Sequence, residues 1–342
     1  MARPFLIGAL VFTAACTAAP VAPARQLVER TRMSMGSQLR LAAWTTDEAA
    51  AAAAFDQVFR EFDRLESLLS VWRDGSDVVR MNKAAGGAPV RVSPETLDVL
   101  AAAREASEWT HGKFDITFGA LADVWKFDHD QDNTVPDRTA IDARLPLVDY
   151  TAVQIDRAAG TAFITKPGAR VHLGGIGKGY AVDRAIALLR ERGFTDFMIQ
   201  AGGDLYVSGL NGDRPWQLGI NDPRGPANSP FATVELSNAT LSTSGDYERF
   251  FIRDGTRYHH LIDPDRGEPA RGCRSVTIVA ERAMLADALS TGVFVLGPTD
   301  GMALVEKLPG VEAVIVSAAN DVLISSGLRG KVTILATPTD GQ

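Results

Sequence analysis

The stretch His172–Arg192, HLGGIGKGYAVDRAIALLRER, constrains this chain more than any other, because four glycines and a lysine lead directly into an amphipathic helix. Val182, Ala185, Ile186 and Leu189 keep the helical spacing, and Gly193 supplies the stop. Such a turn brings bare backbone N–H groups and the positive end of a helix dipole towards an anion, and Lys178 adds a full charge. It predicts a phosphorylated guest. Neither familiar phosphate loop fits. A Walker loop needs Ser or Thr directly after the lysine, where this chain has Gly179, and a dinucleotide fingerprint needs GxGxxG, where the run is Gly175, Gly177, Gly179. The alternative is that these glycines only let a strand and a helix pack closely, so the rest of the chain has to decide.

With 342 residues, 46% hydrophobic and 23% charged, there is material for one large core or two modest ones. The formal net charge is −7, from 35 basic and 42 acidic residues, and no cluster of Lys and Arg forms a basic face. That argues against nucleic acid as a partner. The first residues, MARPFLIGALVFTAACTAAP, have a basic start, an apolar run from Phe5 to Ala15, and then Cys16. The run is shorter than the ~20 residues a bilayer span needs and reads as an export signal over residues 1–15. Cleavage before Cys16, with a lipid on that thiol, predicts a lipoprotein held at the periplasmic face of a bacterial membrane. Plain release into the periplasm is the alternative, since Thr13 stands where such signals usually carry Leu. Residues 16–25 read as a Pro/Ala-rich tether and 26–335 as one domain. Apart from Cys16 there is only Cys273, so no intramolecular disulfide is expected and Cys273 reads as packing.

Leu27–Thr45 alternates in strand fashion around Met35-Gly36-Ser37 and predicts a hairpin. From Asp47 to Leu69 a long helix puts Phe55, Val58, Phe59, Phe62, Leu65 and Leu69 on one face. Trp72, just beyond it, reads as a core anchor. Ser93-Pro94 starts a second helix that should end near Gly112. In GKFDIT, Asp115 sits among apolar neighbours and must either cap a backbone turn or touch a ligand. Asp128–Asp142 reads as a solvated, non-catalytic insertion. Hairpin-like strand runs, not strict βαβ alternation, predict an α+β fold of largely antiparallel sheets with packed helices. They should form two lobes with the site between them.

Two later segments carry polar groups that packing alone would not place. In YHHLIDPDRGEP, His259 and His260 point to opposite strand faces, so at most one faces a site, and Asp263 caps a turn or joins it. In MLADALSTGVFVLG the only charge is Asp287, four residues before Thr291 on one helical face. No Lys or Arg in that stretch compensates it. Carboxylate, hydroxyl and carbonyl oxygens suit Mg²⁺; the alternative is a Thr bonded back into its own helix beside an Asp paired elsewhere.

Taken in order, the blocks MGS at Met35, SVW with a following S-D-x-x-x-x-N, GKFDIT, LGGIGKGYAVD, GGD at Gly202, HLIDPDRG and ADALST resemble the ApbE family, the FAD:protein FMN transferases. The resemblance runs from about Thr31 to Leu328. It implies an enzyme that takes FAD as substrate with Mg²⁺, passes the FMN phosphate to a threonine of an exported or membrane redox protein, and releases AMP. By position, Met35, Trp72, Lys113, Phe114, Asp115, His172, Lys178 and Ile262 would hold FAD. Asp287, Thr291 and the carbonyls of Ser290 and Gly175 would hold the metal. His260 is the candidate base for the acceptor hydroxyl, with Asp263 second. The chain departs from the family pattern at His172, where Asp is usual, at Trp72 for Tyr, and at Arg266 for Thr. The alternatives are an FAD pyrophosphatase that gives free FMN and AMP, and a lipoprotein that carries flavin without turnover.

Overall fold

The computed structural model describes residues 24–128 and 130–341. The export signal and Cys16 therefore lie outside the described residues, as does all of the tether before Ala24. Among the described residues no helix is long and apolar enough to cross a membrane.

Eight strands form one antiparallel sheet whose order in space follows the order in the chain. They are β1 (Gln26–Ser34), β2 (Ser37–Thr45), β3 (Phe197–Ala201), β4 (Asp204–Ser208), β5 (Ala239–Gly245), β6 (Cys273–Ala280), β7 (Glu312–Ser317) and β8 (Val322–Ile324). The helices are α1 (Glu48–Leu69), α2 (Asp77–Lys83), α3 (Pro94–Trp109), α4 (Arg138–Arg144), α5 (Gly177–Glu191), α6 (Ala283–Leu296) and α7 (Pro298–Val305). This is the expected α+β class.

Period-two alternation sorts the sheet's side chains between two layers. From β2, Leu39, Leu41 and Ala43 join Phe55 and Phe62 of α1 on the helical face, while Ala42 points the other way. From β7, Ala313 and Ile315 pack with α6, while Val314 and Val316 face away. A three-stranded sheet (Trp216–Asn221, Pro230–Leu236 and Val332–Ile334) covers the second face. The central strands are thus buried on both sides; all eight residues of β6 are buried, Cys273 among them. Burial, with the charge of Asp246 adding to it, pushes the Cys273 thiol up to about 12, as suits a packing residue.

Local signals hold where the chain is locally determined. Met35 and Gly36 form a two-residue turn with φ of 47° and 72°, the left-handed pair that suits a tight hairpin. The Asp47 carboxylate caps α1 by accepting from Ala50 N–H at 2.9 Å, and the predicted apolar face of that helix is buried throughout. Ser93 caps α3, with Pro94 in its first turn.

A smaller apolar cluster forms the second lobe: Leu121, Trp125, Phe127, Ile141, Phe251 and Ile262. Trp125, Phe127, Phe251 and Tyr258 stack with ring centroids 5.3 to 5.8 Å apart. Most of the described residues of the Asp128–Asp142 stretch are exposed, as expected of a solvated segment, yet the stretch is also tied into this cap. It carries α4, whose Ile141 is buried, and its Asp128 borders the cavity described next.

Candidate active site

A cavity of about 780 Å³ lies between the cap and one end of the main sheet, within the size range of small-molecule sites. Its wall takes Gly36 and Ser37 from the first hairpin, Gly202 to Asp204 from the β3–β4 turn, Thr243 to Gly245 from β5, and Asp287 and Thr291 from α6. Lys178, Gly174, Gly175 and His172 complete the floor.

The floor is set by how α5 meets α6. A side chain at Gly179 would collide with the carbonyl of Ala283 and come 2.7 Å from Asp287 Cβ, so only glycine lets the helices approach this closely. The Asp183 carboxylate of α5 accepts from Ala283 N–H at 2.7 Å and Met284 N–H at 3.0 Å, capping α6. In the same junction, Gly179 N–H donates to Asp287 Oδ2 at 2.9 Å. The positive end of the α5 dipole therefore already faces a carboxylate. The remaining turn is also bonded internally: Gly174 N–H donates to His172 Nδ1 at 3.1 Å, and Ile176 and Gly177 N–H donate to Leu173 O. The turn expected to offer bare N–H groups to a phosphate has used most of them within the protein.

Lys178 is likewise engaged. Its Nζ lies 2.7 Å from Asp204 Oδ2, and the other Asp204 oxygen accepts from Ser242 Oγ at 2.5 Å. Burial works to lower the Lys178 ammonium, but Asp204 and Asp287 outweigh it and hold it above the usual lysine range. Burial, reinforced by the charge of Asp204, pushes the Asp287 carboxyl well above the usual carboxylate range, against the pull of Lys178 and Gly179 N–H. With Asp287 ionised, two carboxylates and one ammonium give this floor a net charge of −1. A floor of that sign attracts a cation before it tolerates a pyrophosphate.

Hydroxyl oxygens that suit a hard cation cluster on the same helix as Asp287. Thr291 Oγ1 is 3.2 Å from Ser244 Oγ and, among the described residues, is not bonded back into its helix; a Cβ built on Gly175 would sit 3.3 Å from it. Ser290 Oγ is the one that bonds back, to Asp287 O at 2.8 Å, and it also meets Ser244 Oγ at 2.7 Å. Among the described residues no three His, Cys, Asp or Glu side chains form a metal cage. A cation here would rest on one carboxylate with hydroxyl and carbonyl oxygens, a donor set that fits Mg²⁺ and not a soft metal.

The two histidines divide as strand geometry requires. His259 is buried, whereas His260 lines the cavity. His260 Nδ1 lies 3.3 Å from Arg249 O, so Nδ1–H donates there and Nε2 keeps its lone pair. Burial, helped by Arg249, pulls its pKa down to about 3, so the ring is neutral across the physiological range. Asp263 does not join it: its carboxylate accepts from Lys113 Nζ at 2.7 Å and Asp265 N–H at 3.1 Å and is outside the cavity wall. Asp115 caps a turn, accepting from Thr117 N–H at 2.7 Å and Tyr150 N–H at 2.9 Å, and also borders the cavity. Burial raises its pKa to about 6 despite those bonds.

Lys113, Phe114, His172 and Ile262 all line the cavity, and burial lowers the pKa of His172. Met35 packs against the main core beside the wall, which its neighbour Gly36 enters. Trp72 is not the core anchor expected from its place after α1. It is 56% exposed at the cavity edge, because α1 ends at Leu69 and the chain turns outward. Sequence reasoning also passed over Asp204, Ser244, Arg249 and Asp128. For Asp204 the signal was present, an acid inside an otherwise apolar strand, the same signal that singled out Asp287.

Comparison with known proteins gives a consistent result. The sequence profile of the ApbE family matches residues 35–315. The chain is 34% identical over 312 residues to a FAD:protein FMN transferase of Klebsiella pneumoniae, covering 89% of each chain. It is 34% identical over 322 residues to one of Treponema pallidum, covering 90% of this chain and 89% of that one. Among solved structures, the ApbE protein of Thermotoga maritima superposes with a TM-score of 0.82 at 34% identity, over 90% of this chain and 99% of that one. The flavin transferase ApbE of Vibrio cholerae superposes with a TM-score of 0.80 at 27% identity, with the same coverage.

Proposed function

The chain belongs to the ApbE family, and from that premise we propose that it transfers FMN from FAD to a protein acceptor. The reaction is Mg²⁺-dependent, esterifies a threonine hydroxyl of an exported or membrane redox protein, and releases AMP. The observation that carries this reading is the Asp287 carboxylate in the cavity wall, one helical turn from the Thr291 hydroxyl, which also lines the cavity. Asp287, Thr291 and the carbonyls of Ser290 and Gly175 would hold Mg²⁺, which supplies charge neutralisation at the pyrophosphate.

The chain's own residues supply the rest. Lys178 contributes a fixed positive charge beside the reacting phosphates. The threonine oxygen bonds to the FMN phosphorus as the bond to the AMP oxygen breaks, and the hydroxyl proton passes to His260 Nε2. A pKa near 3 by itself makes His260 a weak base. The negative phosphates of bound FAD raise it towards the range where proton transfer is efficient. The exposed face of Trp72 offers a stacking surface for a flavin or adenine ring, while Met35, Lys113, Phe114, Asp115, His172 and Ile262 surround the remainder of the dinucleotide. A lipid on Cys16 would keep this site at the periplasmic face of the membrane, within reach of an exported or membrane-bound acceptor.

The test is incubation with FAD, Mg²⁺ and an acceptor bearing a threonine flavinylation site, followed by intact mass and in-gel fluorescence. Covalent FMN is expected, and it should vanish with chelator or with Asp287→Ala. Free FMN and AMP without labelling would mean a pyrophosphatase, and intact FAD would mean a flavin carrier.

A further inference from the structure

Asp204 and Asp287 both attract the Lys178 ammonium, and their surroundings differ. Asp204 is 2% exposed on β4 and directly opposite Ser242 in the β4–β5 register, so strand pairing fixes it and the Ser242 hydroxyl holds one oxygen. Its other oxygen takes the Lys178 ammonium. Asp287 has one oxygen on Gly179 N–H. Among the described residues its other oxygen accepts no hydrogen bond, and the residue borders the cavity. Lys178, its side chain 21% exposed, is attracted by both acids but, among the described residues, is bonded only to Asp204.

We propose that Asp204 is a positioning residue that reserves Asp287 for the metal by holding Lys178 away from it. This rests on the Mg²⁺ reading above. Without the Asp204 charge, Lys178 is left with one acidic neighbour. A long, flexible lysine stem can turn its ammonium onto Asp287, because an uncompensated ammonium in so enclosed a place is costly. The resulting Lys178–Asp287 pair would compete with Mg²⁺ for the open carboxylate oxygen. The function of the acid at the start of β4 is then to assign two charges to two tasks: one ammonium fixed beside the phosphates, one carboxylate kept open to a cation.

The test is titration of Mg²⁺ alone into the purified protein, by calorimetry and by the rise in melting temperature. Asp204→Asn keeps the Ser242 contact and removes the charge, and should weaken Mg²⁺ about tenfold, the lower end of what loss of a metal site's outer partner costs. The double variant Asp204→Asn/Lys178→Met should recover Mg²⁺ affinity to within about threefold of wild type, since no ammonium is left to compete. A merely structural role for Asp204 predicts no such recovery. Wild-type affinity in Asp204→Asn, or equal weakness in the single and double variants, would overturn the proposal. If Asp204→Asn does not fold, Ser242→Ala carries the test. It should weaken Mg²⁺ by roughly two- to threefold through loss of one anchoring hydrogen bond, and unchanged affinity would overturn the idea. A wild-type protein that takes up no Mg²⁺ would instead remove the metal reading itself.

Discussion

His259 and His260 are neighbours with opposite surroundings, and the buried one makes a prediction about stability. His259 Nε2–H donates to Ala270 O at 2.8 Å, and its Nδ1 accepts from Leu261 N–H at 3.3 Å, which fixes a neutral ring against the edge of Phe294. Burial pulls its pKa down to about 4. As pH falls, the unfolded chain takes up this proton near the ordinary histidine value and the folded chain does not. The stabilisation is therefore complete above ~6.5, lost progressively towards ~4 and flat below. Asp115 acts in the opposite sense. Its pKa is raised to about 6, so the folded state holds the proton longer and stability falls as pH rises from ~4 to ~6. Replacing one group separates the two. Between pH ~7.5 and ~5, His259→Gln should lose roughly 2 kcal/mol less stability than wild type, measured by urea unfolding at each pH. Parallel profiles would contradict a buried neutral His259.

At the scale of elements, the α5–α6 junction does more than hold two helices together. Gly179 allows the approach and donates to Asp287, while Asp183 caps the facing helix end. The closely spaced glycines invite a phosphate-loop reading, yet at Gly179 the requirement comes from packing, and the packing delivers the carboxylate. Gly179→Ala changes no charge but must force α5 and α6 apart. It should lower stability by about 2 kcal/mol through overpacking and abolish acceptor labelling, as followed by thermal denaturation and in-gel fluorescence. Labelling at the wild-type rate would show that Asp287 does not depend on this contact.

Across the whole molecule, ion pairs at the edge of the cavity brace the cap, one between two of its own segments and one across to the body. Arg249 Nη1 meets Asp128 Oδ1 at 2.5 Å, and Arg170 Nη1 meets Asp123 Oδ1 at 2.6 Å, with both arginines in the cavity wall. Pairs this exposed contribute little to stability but can set the cap's resting position. The double variant Asp123→Ala/Asp128→Ala should raise KM for FAD about fivefold and leave the melting temperature within roughly 3 °C of wild type. Salt near ~0.5 M should raise the wild-type KM in the same direction, because it screens the same pairs. An unchanged KM under both treatments would mean that the aromatic stack alone positions the cap.

Much of this was legible in the sequence, and the division follows the range of the forces. The buried face of α1, its Asp47 cap, the Met35-Gly36 hairpin and the Ser93-Pro94 helix start are set by residues a few positions apart, so periodicity and capping rules reach them. The ordered blocks likewise sufficed for the family, since each block is contiguous. By contrast, Gly179 and Asp287 meet across 108 positions, and Lys178 and Asp204 across 26. Which acid takes an enclosed lysine depends on strand register and helix approach, quantities no local pattern contains. Trp72 was misread for the same reason, because whether a residue beyond a helix end is covered depends on where the next segment goes. The sequence by itself determined the elements, the fold class and the family. The tertiary structure alone decided how the charges in the cavity floor are paired, because an enclosed charge takes whichever partner the packing brings within reach.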